Sequence, residues 1–147
     1  MTTEAAVRTH PVPVVSVPKD ATAMDAIQKM AETGVSATAV VDGRKLVGVF
    51  TERDVVMRVV VRRLDPATTP IVEVMTQKLV TVREDADRST VLRLMAEHHI
   101  RHLPVVDADG GVVTMLSMRH LLRAEVQDLT QTVWELVAEN AVDGPGG

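Results

Sequence analysis

Residues Gly48-Val-Phe-Thr-Glu-Arg-Asp54 decide how the rest of this chain is read. Small and apolar residues run into a threonine, and an aspartate follows three positions later. Locally that is a strand, Leu46 to Phe50, turning straight into a helix whose N-cap is Thr51. The first backbone N–H groups of a helix lack helical partners, and the helix dipole makes that end slightly positive, which suits an anion such as a phosphate. Gly48 has no side chain to hold a ligand or another backbone at a distance. Asp54 offers two acceptor oxygens, enough for both hydroxyls of a ribose. The four residues Thr51 to Asp54 are equally a capping box, which starts a helix and needs no ligand. The stretch alone leaves both readings open.

Outward from it, the pattern predicts strands and helices in alternation. Val14-Val15-Ser16-Val17 reads as a short strand ended by Pro18. Thr22 caps a helix from Ala23 to about Glu32, with Met24, Ile27, Met30 and Ala31 as its apolar face and Gly34 as its stop. Ala37 to Val41 is a second strand, and Asp42-Gly43 turns the chain into the strand before Thr51. The following helix, from Glu52 to about Arg63, is expected to turn Val55, Val56, Val59 and Val60 inward. Arg58, Arg62 and Arg63 then form a solvated end. Pro66 and Pro70 bracket a linker.

Then the pattern restarts. Val17, Asp20 and Ala21 return as Val82, Asp85 and Ala86; Ile27, Met30, Ala31 and Glu32 return as Leu92, Met95, Ala96 and Glu97; Val40-Val41-Asp42 returns as Val105-Val106-Asp107, all at a spacing of 65 residues. The second turn holds one extra residue, so Thr51 matches Ser117 and Arg53 matches Arg119 at a spacing of 66. A constant offset over that many positions marks an internal duplication: two β-α-β-β-α units, packed as a pseudo-twofold pair so that each covers the other's apolar face. The expected boundaries are a flexible N-terminus (1–11), unit one (12–64), a linker with the strand leading into unit two (65–76), unit two (77–125), a C-terminal helix (126–140) and a flexible tail (141–147).

Composition narrows the function. The chain has 147 residues, 46% of them hydrophobic, enough to fill an aliphatic core. One Phe, one Trp and no Tyr leave almost no aromatic platform for base stacking, and a net charge of −4 argues further against nucleic acid. Without cysteine there is no disulfide, thiolate nucleophile or thiolate metal site. No signal peptide is visible, and the longest apolar run, Val55 to Val61, is too short for a bilayer and broken by Arg58, so a soluble cytoplasmic protein without a membrane partner is expected. No nucleophile–base pair or paired carboxylates can be assembled, so no enzyme is expected.

The duplicated unit resembles the cystathionine β-synthase (CBS) domain, whose tandem pair is called a Bateman module. The resemblance covers about Val12 to Ala124. It rests on Gly48 to Asp54, on His102-Leu-Pro-Val-Val-Asp107 and on Val74-Met75-Thr76 leading into unit two. The stretches Thr51 to Asp54, Thr69 to Thr76 and Ile100 to Pro104 look most like the small stand-alone CBS-pair proteins of bacteria and plant organelles. The resemblance implies a regulatory α/β module, not itself a catalyst and needing no cofactor. Such modules bind an adenosine-containing ligand in clefts between the repeats: AMP, ADP or ATP first, S-adenosylmethionine or NAD as alternatives. A homodimer through helix faces and a regulated partner protein are also implied. Carried over by position, one cleft holds Thr51, Arg53 and Asp54 from unit one against Val80, Arg101 and His102 from unit two. Asp54 takes the ribose, Thr51 and the helix end take a phosphate oxygen, Arg101 and His102 supply opposing positive charge, and the backbone near Val80 reads the adenine edge. Arg53 reaches the phosphates or is only a surface charge.

The other cleft, lined by Val15, Ser36, Ala37, Ser117 and His120, departs from the family pattern. Thr114 stands where glycine is expected and His120 where the ribose aspartate is expected. A neutral imidazole offers one acceptor to two hydroxyls. Losing a charge-assisted bond costs on the order of 1.5–3 kcal/mol, about ten- to a hundredfold in affinity. One good site and one weak, altered or empty site are therefore expected; the alternative is an interaction module whose clefts are both vestigial. His98, His99 and His102 cluster in sequence, but the helix is expected to end among them and no carboxylate completes a metal motif. Asp107 to Gly111 reads as a β-turn. Leu129, Val133, Leu136 and Val137, with Trp134 beside them, form an apolar stripe beyond unit two, assigned to dimerisation or partner docking over packing on its own domain.

Overall fold

In the computed structural model, which describes residues 14–142, unit one runs β1 (Ser16–Pro18), α1 (Ala23–Thr33), β2 (Ala37–Asp42), β3 (Lys45–Thr51) and α2. Helix α2 opens as a single turn, Glu52–Asp54, and continues as a wider π-helical coil, Val55–Val60. The linker, expected to carry a strand into unit two, instead holds a short helix α3 (Ile71–Val74). Unit two comprises α4 (Arg88–His98), β4 (His102–Val106), β5 (Val112–Ser117) and α5 (Met118–Val142). Of the segments expected to be loose, 1–11 and 143–147 lie outside the described residues, whereas residues 141 and 142 of the expected tail belong to α5. No described helix is long and apolar enough to cross a membrane.

The duplication holds at the level of single bonds. Thr22 and Asp87, 65 residues apart, are the N-caps of α1 and α4, each accepting from the backbone N–H three residues on. The residues that end those helices, Gly34 and His99, are both left-handed, with φ 72° and 53°. Strands β2 and β3 pair antiparallel with an irregularity between Val40 and Val41; β4 and β5 pair the same way, with theirs between Val105 and Val106. The Ser36 carbonyl accepts from the Glu52 N–H as the Arg101 carbonyl accepts from Met118.

The copies differ where their surroundings differ. Strand β1 runs parallel to β2 over three residues, but its counterpart in unit two shrinks to one bridge, Val82 to Val105. The expected β-α-β-β-α order is thus complete only in unit one. The neighbouring Val80 is used instead to line a hollow between the units. The linker is built into unit one: Ile71, Val74 and Met75 are buried in the cluster around Phe50, Val40 and Val59. Its carbonyls at Thr69 and Pro66 accept from the Ala23 and Met24 N–H groups, satisfying donors at the start of α1. Gly48 leaves room for this packing: a Cβ there would meet the Met75 side chain, which would have to shift.

Two helices depart from the expected faces. In α1, Ala23, Ala26 and Met30 are buried while Ala31 is turned outward. In α2, the N–H groups of Val61 and Leu64 bond five residues back, to Val56 and Val59. That wider winding shifts the phase of the apolar stripe. Val59 is buried, whereas Val56 and Val60 are exposed together with Met57 and Val61. The helix set apart from residue 126 is the continuation of α5, unbroken from Met118.

The units meet through their sheets. Ala39, Leu46 and Val49 of unit one are buried against Met115 of unit two. The Leu46 N–H donates to the Gly110 carbonyl and the Val112 N–H to the Arg44 carbonyl, stitching the two hairpins edge to edge. The turn over 107–111 is held by Asp107, whose carboxylate accepts from the N–H groups of Asp109 and Gly111.

Candidate functional site

The seam opens on one side into a hollow of about 830 Å³, within the usual range of roughly 300–1,000 Å³ for a small-molecule site. Thr51, Arg53 and Asp54 line it from the start of α2, and Val80, Arg101 and His102 line it from unit two. All six residues assigned to the first cleft therefore share one cavity. Its apolar wall is aliphatic: Val49, Leu79, Val80 and Ile100.

At the floor, Asp54 is 6% exposed and its carboxylate is heavily engaged. Oδ2 accepts from the Thr51 N–H at 3.0 Å, and the Thr51 Oγ accepts in turn from the Asp54 N–H at 3.2 Å. The capping-box reading of this stretch thus holds in the same residues that line the hollow. Oδ1 lies 3.2 Å from the Thr76 Oγ, which donates to it, and 3.3 Å from Arg58 Nε. Arg58 does not belong to the solvated helix end. It folds back over one turn to Asp54, and its Nη1 donates to the Met75 carbonyl at 2.8 Å. Arg62 and Arg63 are exposed, as expected.

Around the rim sit Arg53, Lys78 and Arg101, all exposed. Among the hydrogen bonds and ion pairs of the described residues, none uses these three side chains. In a chain of net charge −4, that collects unpaired positive charge beside an aliphatic wall, an arrangement that attracts a phosphate-bearing ligand.

His102 behaves differently from expectation. Burial, with Arg101 and His120 nearby, holds its imidazole below the usual histidine pKa, so it is neutral at pH 7. It contributes a hydrogen-bonding ring, not a charge. Its Nε2 lies 2.8 Å from the Ser36 Oγ. Ser36, assigned to the second cleft, therefore lies in the first hollow, because it directly precedes β2 and reaches across the seam.

The remaining second-cleft residues, Val15, Ala37, Ser117 and His120, line neither this hollow nor the other one described, of about 470 Å³ over β1 and α1. Ala37 is buried opposite Thr51 in the β2–β3 pair, and Ser117 sits opposite His102 in β4–β5. Thr114 is buried opposite Val105.

Sequence reasoning missed Thr76, Arg58 and Lys78 as lining residues. Arg58 carried a usable signal, its i, i+4 spacing from Asp54. Thr76 and Lys78 enter only through the path of the linker. His98 and His99 also line the rim, α4 ending at His98 as expected; no group of three or more metal-ligating side chains occurs among the described residues.

Two sheet-packed α/β repeats with a polar hollow at their seam define a tandem-repeat α/β architecture. The family model for the CBS domain matches twice, over residues 6–61 and 71–127, and the chain belongs to that family. It is 40% identical over 103 residues to the meiotically up-regulated gene 70 protein of Schizosaccharomyces pombe, covering 70% of this chain but 14% of that protein. An uncharacterised protein of Methanopyrus kandleri is 32% identical over 105 residues, and the chain spans about half of it (54%). A protein with CBS domains from Burkholderia ambifaria superposes with a TM-score of 0.81 at 33% identity, covering 87% of this chain and 96% of that one. The Pyrobaculum aerophilum CBS domain protein, solved with AMP, gives 0.76 at 28% identity, covering 89% of this chain and 99% of that one. The CBS pair of protein MJ0100, solved with 5-methylthioadenosine and S-adenosylmethionine, gives 0.70 at 25% identity, covering 76% and 91%.

Proposed function

We propose that this chain is a cytoplasmic, non-catalytic regulatory module that binds an adenine nucleotide, AMP, ADP or ATP, in the hollow at the seam and reports its occupancy to a partner protein. It acts as a homodimer and as a sensor of cellular energy state. The observation that carries this reading is the pairing, within one cavity, of the Asp54 carboxylate and the Thr51 helix start with the unpaired cations Arg53, Lys78 and Arg101. The AMP and S-adenosylmethionine complexes of similar CBS pairs support the ligand class.

In this reading the ribose hydroxyls take over Asp54 Oδ1 from Thr76 and Arg58, while Oδ2 keeps capping α2. Adenine lies against Val80 and Ile100, and the phosphates face Arg101, Arg53 and Lys78. The phosphates draw Arg101 of unit two towards the α2 start of unit one, favouring one relative placement of the units, which a partner reads. A second reading, an interaction module with vestigial clefts, is favoured by one fact: the Asp54 oxygens already have protein donors.

Calorimetric titration with AMP, ATP, S-adenosylmethionine and NADH separates the two. Asp54→Asn keeps an acceptor for the cap but loses the charge, and is expected to weaken nucleotide binding about ten- to a hundredfold. Saturable binding untouched by the substitution overturns the site; no binding of any of the four supports the second reading.

A further inference from the structure

From Val126 to Ala141 every side chain of α5 is exposed, yet the apolar ones are not scattered. Leu122, Val126, Leu129, Val133 and Leu136 follow one another at alternating steps of four and three, and Asn140 completes the next step of four. Their exposures, 47, 60, 59, 58 and 53%, leave this row without a packing partner among the described residues. The body instead holds a different side of the helix, through buried Leu121 and Ala124 and through Glu125 and Asp128, which pair with Arg88. A second helix can therefore lie along the row without displacing anything.

The steps define a 3.5-residue repeat, with leucine at one core position (122, 129, 136) and β-branched valine at the other (126, 133). That distribution favours two parallel strands. We propose that residues 122–140 of α5 form a parallel two-stranded coiled coil with the same helix of a second copy of this chain. The proposal rests on the homodimer part of the reading above and concerns assembly alone, so its failure leaves nucleotide binding untouched.

Three features select this occupant and this direction. In a parallel pair Asn140 meets Asn140, a polar pairing that fixes register; in an antiparallel pair it faces Leu122. The flanking positions put Glu125 opposite Thr130 and Thr132 opposite Val137, so no like charges oppose. The exposed surface of the row, with Val137 beside it, comes to roughly 500 Å² per helix, and a symmetric pair removes roughly 1,000 Å², the lower bound of a stable interface. The helix is already nucleated on unit two, so pairing does not have to bear that cost.

The chain has no cysteine, so Leu136→Cys introduces a single thiol. Light scattering on the wild type is expected to give twice 16.0 kDa, and Leu129→Glu/Val133→Glu, both at exposed positions, to weaken the dimer by about tenfold or more with its thermal unfolding retained. Mild oxidation is expected to link Leu136→Cys into a disulfide-bonded pair. A monomeric wild type, a dimer indifferent to the two glutamates, or a dimer in which the cysteine variant stays unlinked each overturns the proposal, the last by placing the helices antiparallel or elsewhere.

Discussion

His102 sits at the point where both repeats and both sequence-assigned clefts come together. It touches Ser36 of unit one, and burial, Arg101 and His120 favour its neutral ring. The folded chain therefore binds this proton less readily than the unfolded chain, whose histidines titrate near about 6.5. Between the folded and unfolded values the unfolded state holds more protons, so stability rises with pH through that window and falls as pH drops from about 6.5. Urea-denaturation midpoints at pH 7.5 and 5.5 are expected to differ in this direction, and His102→Gln to reduce the difference. An undiminished difference in the variant would assign the effect to other groups. The residue type at 102 was legible in the sequence; its charge state was not, because burial and the approach of His120 arise only once the repeats have packed.

Among the elements, the caps were the most legible, since they depend on residues three or four apart. Thr22, Thr51 and Gly34 each do what their local sequence predicts. The match between Gly34 and His99 exposes a local cost in α4. A side chain held at φ 53° carries on the order of 1–2 kcal/mol of strain, which glycine avoids at some entropic expense. His99→Gly is expected to raise stability by about 0.5–1 kcal/mol, read as a shift in denaturation midpoint without ligand. A loss would mean that the imidazole makes a compensating contact at the rim of the hollow. Helix α2 was misread in its facing because the π winding depends on packing against Leu64 and the linker. Arg58's return to Asp54 was missed with it. Thr76 and Lys78 were hidden for the same kind of reason: nothing local to residues 76–78 says that the linker runs past the start of α2.

For the molecule as a whole, the duplication fixed the architecture, and its broken symmetry shows what each unit lacks. In unit one the returning linker covers the start of α1. In unit two α5 runs straight on, and Arg88, at the position matching Ala23, closes the start of α4 instead. Arg88 is 6% exposed, and its guanidinium bonds Glu125 Oε2 at 2.7 Å and Asp128 Oδ2 at 3.0 Å. Burial favours its neutral form, but the two carboxylates outweigh that and hold its pKa above the ordinary arginine value. Glu125→Gln/Asp128→Asn removes both carboxylates that face this buried cation. It is expected to cost on the order of 2–3 kcal/mol, below the usual penalty for a fully buried pair because both carboxylates are half-exposed. Chemical denaturation measures this directly; a change under about 0.5 kcal/mol would place the pair among ordinary surface bridges.

The seating of Ile71, Val74 and Met75 around Phe50 also bears on how such repeats are exchanged between proteins. The transferable cassette for the first copy ends beyond Met75, not at the last residue of α2. A graft cut at the apparent repeat boundary would carry a hole where those three side chains belong, and would lose Thr76 from the Asp54 carboxylate at the same stroke.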